Sequence, residues 1–127
     1  MPRILLVDDD QLVSTTLLMT LENQGHDVVV CNDGRAALEW LQQDAAFDAM
    51  ITDILMPDMD GLELIRAVRV LAPALHIIAM SGGGRRGNQD FLQFAEAFGA
   101  DAALAKPFGS ETLLATLQQV LARPRPG

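Results

Sequence analysis

Apolar residues fall in five short runs along the chain: 3–7 (RILLV), 27–31 (DVVVC), 48–52 (DAMIT), 76–80 (HIIAM) and 101–105 (DAALA). The runs are continuous rather than alternating, which suits strands buried on both faces of a parallel sheet. The last is rich in alanine and carries the weakest strand signal. Between the runs the apolar spacing becomes helical. Val13, Leu17 and Leu21 follow i, i+4, i+8, and Leu64, Val68 and Leu71 follow i, i+4, i+7. Leu113, Leu117, Val120 and Leu121 form a similar stripe near the C-terminus, and shorter helices are predicted over 36–41 and 91–98. End signals agree with this reading. Asp60-Gly61-Leu62-Glu63 has the capping-box pattern, Asn88 and Ser110 are candidate N-caps, and Gly25 and Gly99 are candidate stops. Successive β–α units require right-handed crossovers. The expected fold is α/β: a five-stranded parallel sheet with helices on both faces, a three-layer sandwich.

A chain of 127 residues fits one domain. We place that domain at 1–122 and read 123–127 (RPRPG) as a frayed tail or the start of a linker. The net charge of −8 argues against a basic nucleic-acid-binding face and against adhesion to anionic lipid. No apolar run approaches the ~18 residues of a membrane span, and Met1-Pro2-Arg3 leads straight into the first run without a leader pattern. The lone Cys31 has no partner for an internal disulfide, so a reduced, cytoplasmic location is expected. Cys31 ends an apolar run with no histidine beside it and reads as a small core residue rather than a nucleophile. His26 and His76 are isolated, without metal-ligand spacing and without the look of a relay histidine.

Ligands of open parallel sheets bind at the carboxyl ends of the strands. Asp8, Asp9 and Asp10 follow the first run, Asp53 the third, Ser81 the fourth, and Lys106-Pro107 the fifth. Asn32 and Asp33, after the second, read as turn and cap. Asp10 reads as the cap of the first helix more readily than as a third ligand. A carboxylate closing a buried strand needs water or a cation beside it. Asp8, Asp9 and Asp53, brought together, would repel one another unless a hard divalent cation such as Mg²⁺ or Mn²⁺ joined them. Lys106 adds a positive charge and Ser81 a neutral donor, a set that suits a phosphoryl group. Asp53 is the central acid and hence the candidate nucleophile, giving an aspartyl phosphate.

These motifs resemble the receiver domain of two-component response regulators, over roughly residues 3–121. ILLVDDD is similar to the first strand of that family with its acidic pair, Asp8 and Asp9. ITDILMPDMDGLEL resembles the phosphoacceptor segment around Asp53, with the Met56-Pro57-x-x-Asp60-Gly61 turn after it. IIAMSG resembles the strand with the switch hydroxyl, Ser81, and LAKPF the segment with the paired lysine, Lys106. The resemblance implies a flavodoxin-like (βα)5 fold, a cis bond at Lys106–Pro107 and metal coordination by the backbone carbonyl of Leu55. Three departures stand out. Ala103 occupies the position where relatives often carry an aromatic rotamer switch. The segment 82–90 (GGGRRGNQD) is long and glycine-rich, and Leu55 puts an apolar side chain where relatives influence dephosphorylation.

The expected function is a phosphorylation-gated signalling switch, not a turnover enzyme. Its donor would be a histidine kinase or phosphotransfer protein, and its output face the fourth helix, fifth strand and fifth helix. Phe91, Phe94 and Phe98 fit core packing of the fourth helix or a partner-facing patch on it, and Arg85 and Arg86 fit a solvated loop. Two alternatives come from other classes. One is a small Mg²⁺-dependent phosphatase of the haloacid dehalogenase type with Asp8 as nucleophile and Asp10 as acid; the other is a constitutive binding module.

Overall fold

The computed structural model describes residues 2–44, 46–54, 61–81, 93 and 95–124. β1 (Arg3–Val7), β2 (Asp27–Cys31), β3 (Ala49–Asp53), β4 (His76–Ser81) and β5 (Ala102–Ala105) form one parallel sheet in the order β2-β1-β3-β4-β5. α1 (Gln11–Asn23), α2 (Gly34–Gln43), α3 (Gly61–Leu71) and a C-terminal helix (Ser110–Ala122) cover it, and residues 95–98 are also helical. This is the expected flavodoxin-like α/β sandwich.

The strands read as uniformly apolar, yet their side chains alternate and divide the interior into two cores. Leu5, Val7, Met50, Ile77 and Ala79 face α2 and α3, meeting Ala37, Leu41, Leu64, Ile65 and Val68. Ile4, Leu6, Ala49, Ile51, Ile78 and Met80 face the other way, against Leu17 and Leu21 of α1 and Leu113, Leu117 and Val120 of the C-terminal helix. Phe47, in the connection before β3, is fully buried in the first core and has no periodic signal in the sequence.

Local signals place most ends. Asp10 caps α1, accepting from the N–H groups of Leu12 and Val13, and Asp33 caps α2 through the N–H of Ala36. Gly25 and Gly99 adopt φ of 86° and 125°, the left-handed geometry of a helix stop. Several expectations need correction. β3 starts at Ala49 because the Asp48 carboxylate is turned to accept the Arg3 N–H at 2.7 Å. It runs on through Asp53, which pairs with Met80, and the next N–H, of Ile54, still donates to the Met80 carbonyl at 2.9 Å. β5 starts at Ala102 because the Asp101 carboxylate is occupied by the Ile77 N–H at 2.8 Å. Ser110 is the first helical residue rather than a cap. The N-cap is Gly109, whose carbonyl accepts from Leu113 N–H at 3.1 Å. The buried stripe of α3 is Leu64, Ile65 and Val68, leaving Leu71 41% exposed at the end of the helix. Phe98 is 38% exposed rather than a core residue, while Phe91, Phe94, Asn88 and Asp60 lie outside the described residues.

Candidate functional site

Register assembles the site. Val7 pairs with Thr52, so the next residues, Asp8 and Asp53, leave neighbouring strands side by side. This is where the strand order reverses direction around β1 and β3, the crevice that open α/β sheets use for ligands. Ser81 pairs with Ala105, and the Lys106 N–H donates to the Ser81 carbonyl at 2.8 Å, which starts the Lys106 side chain beside β4. Its ammonium then reaches across to both acids: Nζ lies 3.2 Å from Asp8 Oδ2 and 3.1 Å from Asp53 Oδ2. The Lys106–Pro107 peptide is cis, as expected.

Asp8, Asp9 and Asp53 each present a carboxylate oxygen within 4.8 Å of the others. Their surroundings differ. Asp8 is fully buried, with Oδ1 accepting the Asp10 N–H at 2.9 Å and Oδ2 facing Lys106. Asp53 is also buried and Asp9 is exposed. Burial pushes the Asp8 carboxyl above its ordinary pKa and Asp53 adds repulsion; the Asp10 N–H and Lys106 pull against this without cancelling it. Burial pushes the Lys106 ammonium down, but Asp53 and then Asp8 outweigh it and leave its pKa raised. Among the described residues, one ammonium therefore stands against three clustered carboxylates. This donor set, all hard oxygen with room for charge, fits a divalent cation of the Mg²⁺ class.

The structure thus brings together Asp8, Asp9, Asp53 and Lys106, with Ser81 fully buried one strand away from Lys106. Asp10 is the helix cap. Ala103 is half-buried on β5. Leu55, the Met56–Asp60 turn, Arg85, Arg86 and the 82–90 segment lie outside the described residues. Cys31 is buried, and burial with nearby Asp33 pushes its thiol up to about 11, so it remains a neutral core group. His76 is buried at the opposite end of β4, with Nδ1 3.9 Å from Asp101 Oδ2. Sequence reasoning took Gly61 as a turn residue and missed that it packs against the Asp53–Ile54 backbone. The available signal was a glycine opening a helix soon after a strand that ends in an acid.

The family model for the response regulator receiver domain matches residues 4–118. Response regulator MprA of Mycobacterium leprae is 39% identical over 124 residues, covering 98% of this chain and 53% of that protein. The chain spans about half the length of the curated relatives it matches. A CheY-like response regulator receiver domain protein from Methanospirillum hungatei has a similar structure, with a TM-score of 0.87 at 29% identity over 95% of this chain and 94% of that one. The chemotaxis protein CheY4 of Vibrio cholerae gives a TM-score of 0.83 at 36% identity over 94% and 98% of the two chains. Fold, match and motif order agree: the chain belongs to the receiver domain family of two-component response regulators, a signalling family rather than one of turnover enzymes.

Proposed function

We propose that the chain is a phosphoryl-accepting switch in which Asp53 takes a phosphoryl group from a histidine kinase or a phosphotransfer protein. The observation that carries this reading is the carboxylate cluster bridged by a single ammonium, with Lys106 Nζ 3.1 Å from the acceptor oxygen Asp53 Oδ2. An Asp53 oxygen attacks phosphorus, the bond from phosphorus to the donor nitrogen breaks, and the imidazole leaves with that electron pair. Asp8, Asp9 and Asp53 would hold Mg²⁺ or Mn²⁺, with the Leu55 carbonyl completing the protein ligands. The bound cation supplies charge neutralisation between the carboxylates and the incoming phosphoryl oxygens. Lys106 pairs with a phosphoryl oxygen once the acceptor has become an acyl phosphate, and the Ser81 hydroxyl moves in as a further donor. Such contacts, present only in the phosphorylated form, are what shift a two-state equilibrium. Moving it from 1:99 to 99:1 takes about 5.5 kcal/mol of differential interaction.

The receiver unit occupies 1–122 on this reading, with 123–127 a frayed tail or the start of a linker. The chain works in the cytoplasm, where histidine kinases present their phosphohistidine; among the described residues no helix is long and apolar enough to cross a membrane. Its output face is the surface formed by residues 95–98, β5 and the C-terminal helix, where Phe98 is partly exposed. The phosphatase alternative needs Asp8 to attack a substrate. Asp8 is fully buried and both its oxygens accept hydrogen bonds, which weighs against it. A constitutive binding module would gain nothing from gathering three acids around one lysine.

Intact-mass analysis after incubation with Mg²⁺ and acetyl phosphate, wild type beside Asp53→Asn, tests the proposal. One added phosphoryl group that disappears in the variant is expected. Label that persists in Asp53→Asn moves the nucleophile to Asp8, and absence of label on either protein removes the self-catalysed acceptor.

A further inference from the structure

The first turn of α3 lies directly on the backbone that carries the acceptor. A methyl group added at Gly61 would stand 2.4 Å from Ile54 Cα, 2.5 Å from the Asp53 carbonyl oxygen and 2.6 Å from the Ile54 carbonyl oxygen. All three are backbone atoms, so no rotamer change relieves the overlap; the strand end or the helix has to move. Gly61 is not among the positive-φ glycines, so the requirement is for space rather than for unusual dihedrals. Its N–H also donates to the Ile54 carbonyl at 2.7 Å, while the Ile54 N–H donates to Met80 at 2.9 Å. Ile54, the residue after Asp53, is thus held by β4 through its N–H and by α3 through its carbonyl. Leu64 and Ile65, in the turn next to Gly61 and buried in the core, tie the start of the helix in place.

We propose that Gly61 is a positioning residue for Asp53. The close contact of α3 with the Asp53–Ile54 backbone sets how the carboxylate is presented to Lys106 and to the other acids. The inference rests on the reading of Asp53 as acceptor. Phosphoryl transfer depends on alignment of the attacking oxygen, and a misplacement of about 1 Å can cost on the order of a hundredfold in rate. A side chain at Gly61 acts on the acceptor's own backbone, so its effect reaches the carboxylate through the strand end.

The test compares time courses of labelling by acetyl phosphate, at saturating Mg²⁺, in the full chain. The proteins are wild type, Gly61→Ala, Asp53→Asn and Val68→Ala, the last a core truncation in the same helix. Gly61→Ala, folded by circular dichroism, is expected to lose about tenfold or more in the limiting rate at saturating donor. Val68→Ala, destabilised but with the contact intact, is expected to keep the wild-type limiting rate. Equal limiting rates in wild type and Gly61→Ala overturn the inference, as does an equal loss in Val68→Ala. If Gly61→Ala does not fold, amide exchange in the wild type decides. A protected Gly61 N–H whose exchange changes on phosphorylation supports the inference, and one that exchanges as freely as Gly109 overturns it. Label persisting in Asp53→Asn instead removes the acceptor reading, an outcome distinct from any rate difference at Gly61.

Discussion

The two ends of the sheet treat charge in opposite ways. At the carboxyl end, among the described residues, three acids cluster, two of them, Asp8 and Asp53, pairing with the same lysine, and the acid most deeply buried, Asp8, has its pKa raised. At the amino end, the acids are matched by nearby donors, Arg3 serving both Asp44 and Asp27. The Asp101 carboxylate accepts from the Ile77 N–H at 2.8 Å and from Arg69 at 3.3 Å. Arg69 goes on to bind the carbonyls of Pro73, Leu75 and Gly99, joining the end of α3, the turn into β4 and the approach to β5. Arg3 pairs with Asp44 and stacks over Phe47, while its N–H satisfies Asp48. A matched network holds loops in place. A cluster of acids beside one ammonium is a donor set that suits a divalent cation.

Substitutions at the two ends should therefore change stability with opposite signs. Asp101→Ala, at the matched end, strips partners from the Ile77 N–H and from Arg69. It is expected to cost about 3 kcal/mol in urea denaturation while leaving labelling of Asp53 unchanged. A cost near zero would dissolve the contrast. At the other end, Asp8→Asn is expected to raise the thermal midpoint measured in EDTA, because it removes a buried charge that the fold disfavours. The same variant should lose most of the stabilisation that Mg²⁺ gives the wild type, which for a single site at a hundredfold excess over Kd is about 2.7 kcal/mol.

The pH dependence carries the same sign. With its folded pKa raised, Asp8 holds a proton that the unfolded chain has already released, so the folded state binds more protons over that interval. Stability therefore falls as pH rises from the ordinary carboxylate range through the folded value, and Asp8→Asn should flatten that slope. The smallest expected effect sharpens the comparison within one end. Asp10 is exposed and acts as the N-cap of α1, so Asp10→Ala should cost about 1 kcal/mol in urea denaturation. Its N–H still reaches Asp8, so the labelling rate should barely change.

Much of this was legible along the chain. Continuous apolar runs marked the parallel sheet, and glycines and aspartates at their ends marked helix stops and caps. The acids and the lysine after the first, third and fifth runs named the site, because strand ends in such a sheet converge on one edge. Errors fell where a tertiary contact outvoted a local pattern. Leu71 kept the helical period but lies past the part of α3 that the sheet covers, so it is exposed. Asp48 and Asp101 sat in apolar runs but were drawn to N–H groups of other strands, which moved the strand starts.

The sequence by itself determined the fold class and which acids and which lysine stand at the carboxyl edge of the sheet, because these depend on residue type and on spacings of a few residues. Tertiary structure alone decided how deeply each acid is buried, which oxygen each donor reaches and how closely α3 lies on the Asp53–Ile54 backbone. Lys106 is 98 residues from Asp8 in sequence and 3.2 Å from it in space. The room left at Gly61 is set by backbone from the preceding strand. No local pattern encodes such distances; they follow from how two cores pack on either side of one sheet.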